Sequence, residues 1–424
     1  MTEAIKNSTV SVIVPACNEE LTICSTIKSL INQNFNSYEI IVVDDGSRDC
    51  TASVIAKEFK LHQNKSLKTY NCLLNTAEVR NVLFAEKDGV WIFLIKKQNG
   101  GKSDALNAGI NYSHGDYIVC IDADCELHRD AIAILAGQIE KNQNIAAVGG
   151  RVIPSSGIND YIKANNITLN NILRGHQDIE YGAAFTLARP LLDKIGTSML
   201  ISGAIGIFRK DVIIAVGGYA TDTVGEDMEI ILRIRKYAAE HNLPLEIRYS
   251  KQAKSVTELP HNGRDYAKQR IRWAVGLTEN LRKYRDMASF EMYSLPQKVT
   301  YWYYLLFEKL MPHFELTWLL ICCFLHRWNA WLFMVFVPKP VQLVIALAGS
   351  WESLKNAVLS SAKKRQTIMR IVLLLATYLT VYHFGHSMLR LIALPVDWIQ
   401  KKRNRVVYVG WKSPQRNKNE KQDK

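Results

Sequence analysis

Four short runs of apolar, largely β-branched residues, each stopping at a polar cluster, constrain this chain more than any other feature. Ser11–Pro15 (SVIVP) runs into ACNEE, and Tyr38–Val43 (YEIIVV) into Asp44-Asp45-Gly46-Ser47. Trp91–Ile95 (WIFLI) leads to Lys97-Gln98-Asn99-Gly100-Gly101-Lys102, and Tyr117–Ile121 (YIVCI) to Asp122-Ala123-Asp124. Runs of this kind read as buried strands. Leu21–Ile31, between the first two, carries apolar residues at helical spacing. Strand, helix and strand then form a right-handed βαβ unit, and ligands bind beyond the carboxyl ends of its parallel strands, where the polar clusters fall. From about Leu61 to Asp88 the pattern is irregular and places no element.

Asp122 and Asp124 flank one small residue, which holds two carboxylates together at a sheet edge. Acidic turn residues are common, so the pair gains weight only from its neighbours. Asp44-Asp45 leaves another strand end, where a carboxylate can accept from a base N–H or a ribose hydroxyl. Gly100-Gly101-Lys102 adds pliant backbone and a cation, the complement of a diphosphate. Paired carboxylates suit Mg²⁺ or Mn²⁺, hard ions held by one or two carboxylates plus phosphate oxygens. The cluster reads as a nucleotide-diphosphate and metal site. GxxxxGK[ST] is absent, so it is not a P-loop, and no GxGxxG opens the first βα turn, which argues against a dinucleotide-binding dehydrogenase.

Further along, Leu200–Phe208 reads as a strand broken by Ser202-Gly203-Ala204, small residues that let a substrate approach the backbone. Glu226 and Asp227 precede an amphipathic helix, Ile230–Tyr237, where acids also serve capping and the helix dipole. Lys268–Trp273 (KQRIRW) brings Gln269, Arg272 and Trp273 within about one helical turn, a cation and an indole suited to a diphosphate and a sugar ring or to a membrane boundary.

The charge is lopsided. Of 53 Lys and Arg against 40 Asp and Glu, net +13, 14 basic residues and 3 acids lie from Ser361 onward, so the preceding 360 residues are nearly neutral. The mean hydropathy of −0.06 likewise averages an α/β chain of about 290 residues with long apolar runs between Trp302 and Leu394. A nucleic-acid binder spreads basic surface over its folded domain, so no nucleic-acid partner is expected. A basic tail after apolar segments points to a membrane protein with that tail in the cytosol. Met1–Val10 lacks the apolar core of a secretory signal, so the chain is expected to begin in the cytosol. The eight cysteines show no CxxC and no His at zinc spacing, and free thiols are expected.

In chain order the stretches VSVIVPACNEE (10–20), VVDDGSRD (42–49), QNGGKSDALNAG (98–109), DYIVCIDADCEL (116–127), SGAIGIFRKDVIIAVGGY (202–219), GEDMEIILRI (225–234) and QRIRW (269–273) resemble the signature of family 2 glycosyltransferases. The similarity is to the membrane-bound branch of chitin, hyaluronan, cellulose and poly-N-acetylglucosamine synthases. It covers about Val10 to Leu277 and implies an α/β GT-A fold, Rossmann-like, followed by a small α-helical membrane region. It also implies that Asp45 contacts the uracil, that Pro15 and Cys17 line the base with Glu19 nearby, and that Lys102 lies by the diphosphate. Asp122 would contact the nucleotide and Asp124 the metal, Mg²⁺ or Mn²⁺. Ser202 and Gly203, with Ala204, would line the acceptor pocket, and Asp227, with Glu226 beside it, would be the base for the acceptor hydroxyl. Gln269, Arg272 and Trp273 match QxxRW, which holds the donor diphosphate and the acceptor end. The implied function is inverting transfer from a UDP-sugar, with N-acetylglucosamine favoured, onto a β-linked extracellular or capsular glycan. The alternative is single transfer to a lipid acceptor such as a polyprenyl phosphate or a diacylglycerol.

The chain departs from that branch in its membrane part, with no span before the catalytic domain. The expected layout is a cytoplasmic GT-A domain over 1–285, an interfacial amphipathic segment over 286–313 and a transmembrane hairpin over 314–349. An interfacial, re-entrant or third transmembrane helix follows over 366–396, then a basic cytoplasmic tail over 397–424. Arg370, His383, His386 and Arg390, with basic clusters at both flanks, favour the interfacial placement. So few spans imply assembly with copies of the chain or an export partner, or hand-over to a lipid carrier. The expected location is the inner membrane, with membrane lipids as partners and the catalytic domain in the cytoplasm.

Overall fold

The computed structural model describes residues 9–63, 73–164, 166–260, 262–289, 291–327, 329 and 339–402. They form two compact units: one holds the described residues up to Val152 and Ser198–Thr257, the other Ile153–Thr197 and the described residues from Glu258.

The first unit is built on strands β1 (Val10–Ala16), β2 (Tyr38–Asp45), β3 (His62–Gln63), β4 (Val79–Lys87), β5 (Val90–Lys97), β6 (Tyr117–Cys120), β7 (Cys125–Leu127), β8 (Ile145–Pro154), β9 (Gly206–Arg209) and β10 (Glu246–Thr257), in the order β3-β4-β5-β2-β1-β6-β9-β8-β10-β7. β1 pairs in parallel with β2 and β6, and β2 with β5. Every residue of β1 and β2 is buried, which is why these strands read as unbroken apolar runs rather than alternating ones. Because β1, β2, β5 and β6 run the same way, their polar carboxyl ends share one edge. Helices α1 (Ile23–Ile31), α2 (Thr51–Glu58), α3 (Lys102–Tyr112), α4 (Ala131–Ile139), α8 (Lys210–Ala215) and α9 (Glu226–Glu240) complete this unit. Ala105, Leu106, Ala108 and Ile110 of α3 and Ile230, Ile231 and Ile234 of α9 join one core with Ile13, Ile41, Val43, Phe93 and Ile95.

Two departures from the sequence reading have plain causes. The stretch before β5 contains β4, joined to β5 by Asp88-Gly89 with φ of 51° and 80°, a two-residue hairpin turn whose backbone twist matches that of the strands. The expected strand over Leu200–Phe208 shrinks to β9, because the backbone at Ser202–Ile205 turns, with Ile205 N–H donating to the Ser202 carbonyl, and Gly203 N–H donates to a side chain rather than a ladder.

The second unit contains α5 (Ile158–Lys163), α6 (Leu169–Gly182), α7 (Arg189–Lys194), α10 (Gly263–Lys283), α11 (Leu295–Tyr303), α12 (Met311–Phe324), α13 (Lys339–Gly349), α14 (Trp351–Leu359), α15 (Lys364–Thr377) and α16 (His383–Lys402). Its core gathers Ile158, Tyr161, Ile179, Ala346, Leu354, Ala357, Leu374 and Leu375. The helix α10 and the segment 153–197 pack in this unit.

Among the described residues, one helix is long and apolar enough to cross a membrane, Lys364–Ala393, 30 residues that include an 18-residue stretch of mean hydropathy 1.5. Within the expected hairpin the structure shows α12 and α13; residues 328 and 330–338 between them lie outside the described residues, as does the tail beyond 402. The charges that favoured an interfacial place for Lys364–Ala393 sit on its packed side. Arg370 donates to the carbonyls of Tyr161, Ile162 and Ala164 (3.4, 2.6 and 2.9 Å) at the end of α5. His383 lies 3.3 Å from Glu315, and Arg390 lies 2.6 Å from Glu308. Exposed instead are Ile368, Met369, Val372, Leu373, Val381, Phe384 and Ile392.

Candidate active site

Lys102 opens α3, directly after Gly101, whose φ of 92° suits glycine and turns the chain from β5 into the helix. Its ammonium lies 2.9 Å from Asp122, 3.0 Å from Glu226 and 3.6 Å from Asp227. Asp122 comes from the end of β6, and Glu226 and Asp227 are the first residues of α9, whose N-terminal dipole favours acids. The structure therefore brings together four of the residues singled out from the sequence. Gly203 joins them: its N–H donates to Asp227 Oδ2 at 2.9 Å, and a Cβ there would stand 2.5 Å from Lys102 Nζ and 2.9 Å from the Asp227 oxygens. The small residue is required because the loop rides directly on the charged cluster.

One cation thus stands among three carboxylates. Burial by itself would draw the Lys102 ammonium down, but Asp122, Asp227 and Glu226 hold it well above the usual lysine range. Burial lifts Asp227 to about 6; Lys102 and the Gly203 N–H oppose the rise, while Glu226 and Asp122 add to it. A carboxylate so placed is a stronger base than an ordinary aspartate and is still ionised at neutral pH.

Asp124 lies one turn from this cluster. Donor atoms of Asp122, Asp124 and Cys125 lie within 4.8 Å of one another. The Cys125 thiol donates to Asp124 Oδ1 at 3.4 Å, and burial, followed by the charges of Asp124 and Asp122, pushes it well above the usual thiol range. It stays a thiol, which leaves two half-exposed carboxylates as a hard oxygen donor pair fitted to Mg²⁺ or Mn²⁺.

Asp45 behaves differently from Asp122. Its Oδ1 accepts from Lys97 Nζ (2.6 Å) and Gly100 N–H (2.9 Å), and its Oδ2 from Gly101 N–H (2.7 Å) and Asn99 Nδ2 (3.1 Å). Four bonds fill its lone-pair sites, so a uracil contact through this carboxylate would displace one of them. Lys97, wholly buried, also pairs with Asp104 at 2.5 Å. Asp45→Asn is expected to cost about 3 kcal/mol, the low end for breaking a buried pair because Lys97 keeps Asp104; the midpoint of thermal unfolding checks it, and an unchanged midpoint would show that the pair is not structural.

The other nucleotide-side residues line the first turn. Pro15 is buried, Cys17 and Glu19 are nearly so, and Thr22 Oγ1 donates to Glu19 Oε2 at 3.0 Å. Burial, then Asp45 and Asp44, push the Cys17 thiol to about 11, so it is no nucleophile. Ser202 is half-buried beside Gly203. Gln269, Arg272 and Trp273 lie on α10 in the second unit; the first two are half-buried and the indole is 42% exposed. Lys97, Asn99 and Asp104 were not singled out as site residues, although Asn99 and Asp104 lie within the stretch 98–109 and Lys97 directly precedes it. Arg270 and Glu180, 2.6 Å apart in the second unit, were missed as well.

The family model for Glycosyl transferase family 2 matches residues 11–72 and 74–213. A poly-β-1,6-N-acetyl-D-glucosamine synthase of Staphylococcus epidermidis is 25% identical over 427 residues, 96% of this chain and 87% of the relative. One of Staphylococcus aureus (strain COL) is 28% identical over 297 residues, 70% of this chain and 60% of the relative. Among solved structures, a mannosyltransferase from Pyrobaculum calidifontis in complex with GDP-Man and Mn²⁺ superposes with a TM-score of 0.52 at 17% identity, covering 93% of this chain and 88% of that one. That likeness concerns the fold, which is GT-A. With the strand-end motifs in order, the charged cluster assembled at one edge of the sheet and the family match across it, the chain belongs to the family 2 glycosyltransferases.

Proposed function

We propose that the chain moves N-acetylglucosamine from UDP-N-acetylglucosamine, with inversion, onto a growing β-linked extracellular or capsular glycan, working at the cytoplasmic face of the inner membrane. One observation carries the reading: a weakly acidic Asp227 held beside Lys102, with the Asp122 and Asp124 donor pair next to it. The names of the staphylococcal relatives support the sugar and the polymer. In this reading Asp227 removes the proton of the acceptor hydroxyl while the sugar's anomeric carbon is attacked from the opposite face, so an α-linked donor gives a β-linkage. Lys102 and Arg272 stabilise the negative charge that builds on the leaving diphosphate. Asp122 and Asp124 would hold Mg²⁺ or Mn²⁺, and the Mn²⁺ of the Pyrobaculum structure supports that; the ion supplies further positive charge to the diphosphate. Glu226 tunes Asp227 through its charge, Ser202 and Gly203 shape the acceptor side, and Asp45 serves the base by fixing the Asn99–Gly101 loop beside Pro15, Cys17 and Glu19. Gln269 and Trp273 receive the acceptor end.

Purified membranes assayed with a panel of nucleotide sugars test this. UDP release is expected to be fastest with UDP-N-acetylglucosamine, lost on chelation and restored by Mg²⁺ or Mn²⁺. Release unaffected by exhaustive chelation would overturn the metal site, and equal release from all donors would overturn the sugar. The single candidate span among the described residues favours a second reading, one transfer to a lipid acceptor. Labelled product separates the two: a ladder of lengths supports the polymer, together with copies of the chain or an export partner to carry it, and a single lipid-linked species supports the alternative.

A further inference from the structure

Arg270 occupies the first unassigned position of Gln269-Arg270-Ile271-Arg272-Trp273, yet it is the most deeply buried of the five, 2% exposed. Its guanidinium carbon stands 4.4 Å from the centre of the Trp273 ring and 4.9 Å from that of Tyr266. Those residues lie three positions after and four before it, on the same face of α10. Nη1 donates to Glu180 Oε1 of α6 at 2.6 Å, while Nε and Nη2 have no hydrogen-bond partner among the described residues. The other Glu180 oxygen accepts from the hydroxyl of Tyr382, just before α16, whose ring packs 5.7 Å from Tyr266. A flat cation between two rings, anchored at one edge, gives the indole a fixed floor while its other surface stays open to solvent.

We infer that Arg270 is a positioning residue for Trp273, fixed in turn by Glu180 and Tyr382, so that the packing of α10 on α6 and on the long apolar helix sets where the indole presents its open face. The inference rests on the reading of Trp273 as an acceptor-site residue. Lysine keeps the charge but lacks the planar fork that stacks on both rings while pairing with Glu180. Arg270→Lys is therefore expected to raise the acceptor KM on the order of tenfold while kcat changes by less than about threefold. In a Trp273→Ala background the same change should have no further effect, since the group it positions is gone. Equal effects of Arg270→Lys in both backgrounds, or a wild-type KM, would overturn the inference. Should Arg270→Lys not be recovered in membranes, Tyr382→Phe, which removes one hydroxyl from Glu180, carries the same test. If the wild-type chain releases no UDP from any nucleotide sugar, the transferase reading falls and the positioning is read separately. Acrylamide quenching of Trp273, taken as the difference between each protein and its Trp273→Phe counterpart, should increase in Arg270→Lys; unchanged quenching overturns the positioning.

Discussion

Asp227→Asn should lower sugar transfer by a factor on the order of 10³ while UDP binding stays near that of the wild type. The amide keeps an oxygen for the Gly203 N–H but cannot take a proton, so it removes the base without emptying the contact at 2.9 Å. The pH profile gives the second half of the result. With Asp227 at about 6, the ionised form gains on the acid as pH rises through that value, and the wild-type rate should climb to a plateau above it. The same elevated value costs the folded state. An unfolded aspartate ionises near the ordinary value of about 3.9, so the folded chain binds this proton more tightly, and stability falls as pH rises from there through about 6. The base is thus least favourable to folding where it is most active. Steady-state rates and UDP titration of the variant check the prediction; a variant that kept most of its turnover would show that another group takes the proton.

Lys102→Met should cost transfer by a factor on the order of 10² to 10³, and its signature should differ from that of the base variant. Methionine preserves much of the stem's packing but removes a charge that lies within 4 Å of Asp122, Glu226 and Asp227 alike. Three carboxylates without their shared cation repel one another, and Asp227 loses the largest influence that holds its value down. The residual activity should therefore rise with pH through a point above 6, whereas Asp227→Asn should show no such limb. A variant profile that superposed on the wild type after scaling would separate Lys102 from the titration of Asp227.

The strands that carry the site were legible because burial on both faces leaves unbroken apolar runs, and because each run ends where the backbone meets polar ligands. Lys102, Asp122, Glu226 and Asp227 were legible as types at strand and helix ends, but their convergence was not, since Lys102 and Asp227 meet through the fold and not through any local period. Asp45 shows the limit most clearly. A carboxylate after a buried strand looks available, and only the structure reveals Lys97, 52 residues away, beneath it. The Asp88-Gly89 turn was readable in principle, because Asp-Gly between two apolar runs is a strong hairpin signal; the irregular stretch before it hid the partner strand. Arg370, His383 and Arg390 looked unfavourable in an apolar helix because their partners, the carbonyls at the end of α5, Glu315 and Glu308, lie tens to hundreds of residues away.

That pairing changes how the chain can be shortened. A cut before Lys364 would look like the removal of a dispensable anchor. It would instead strand Glu180, Glu308 and Glu315 without Tyr382, Arg390 and His383, and leave the carbonyls of Tyr161, Ile162 and Ala164 without Arg370. Ile158, Tyr161 and Ile179 would lose Leu374 and Leu375 in the same stroke. A water-soluble form of this enzyme is better sought by replacing the outward residues Ile368, Met369, Val372, Val381 and Phe384 with polar ones, leaving the inward stripe and its carboxylates intact.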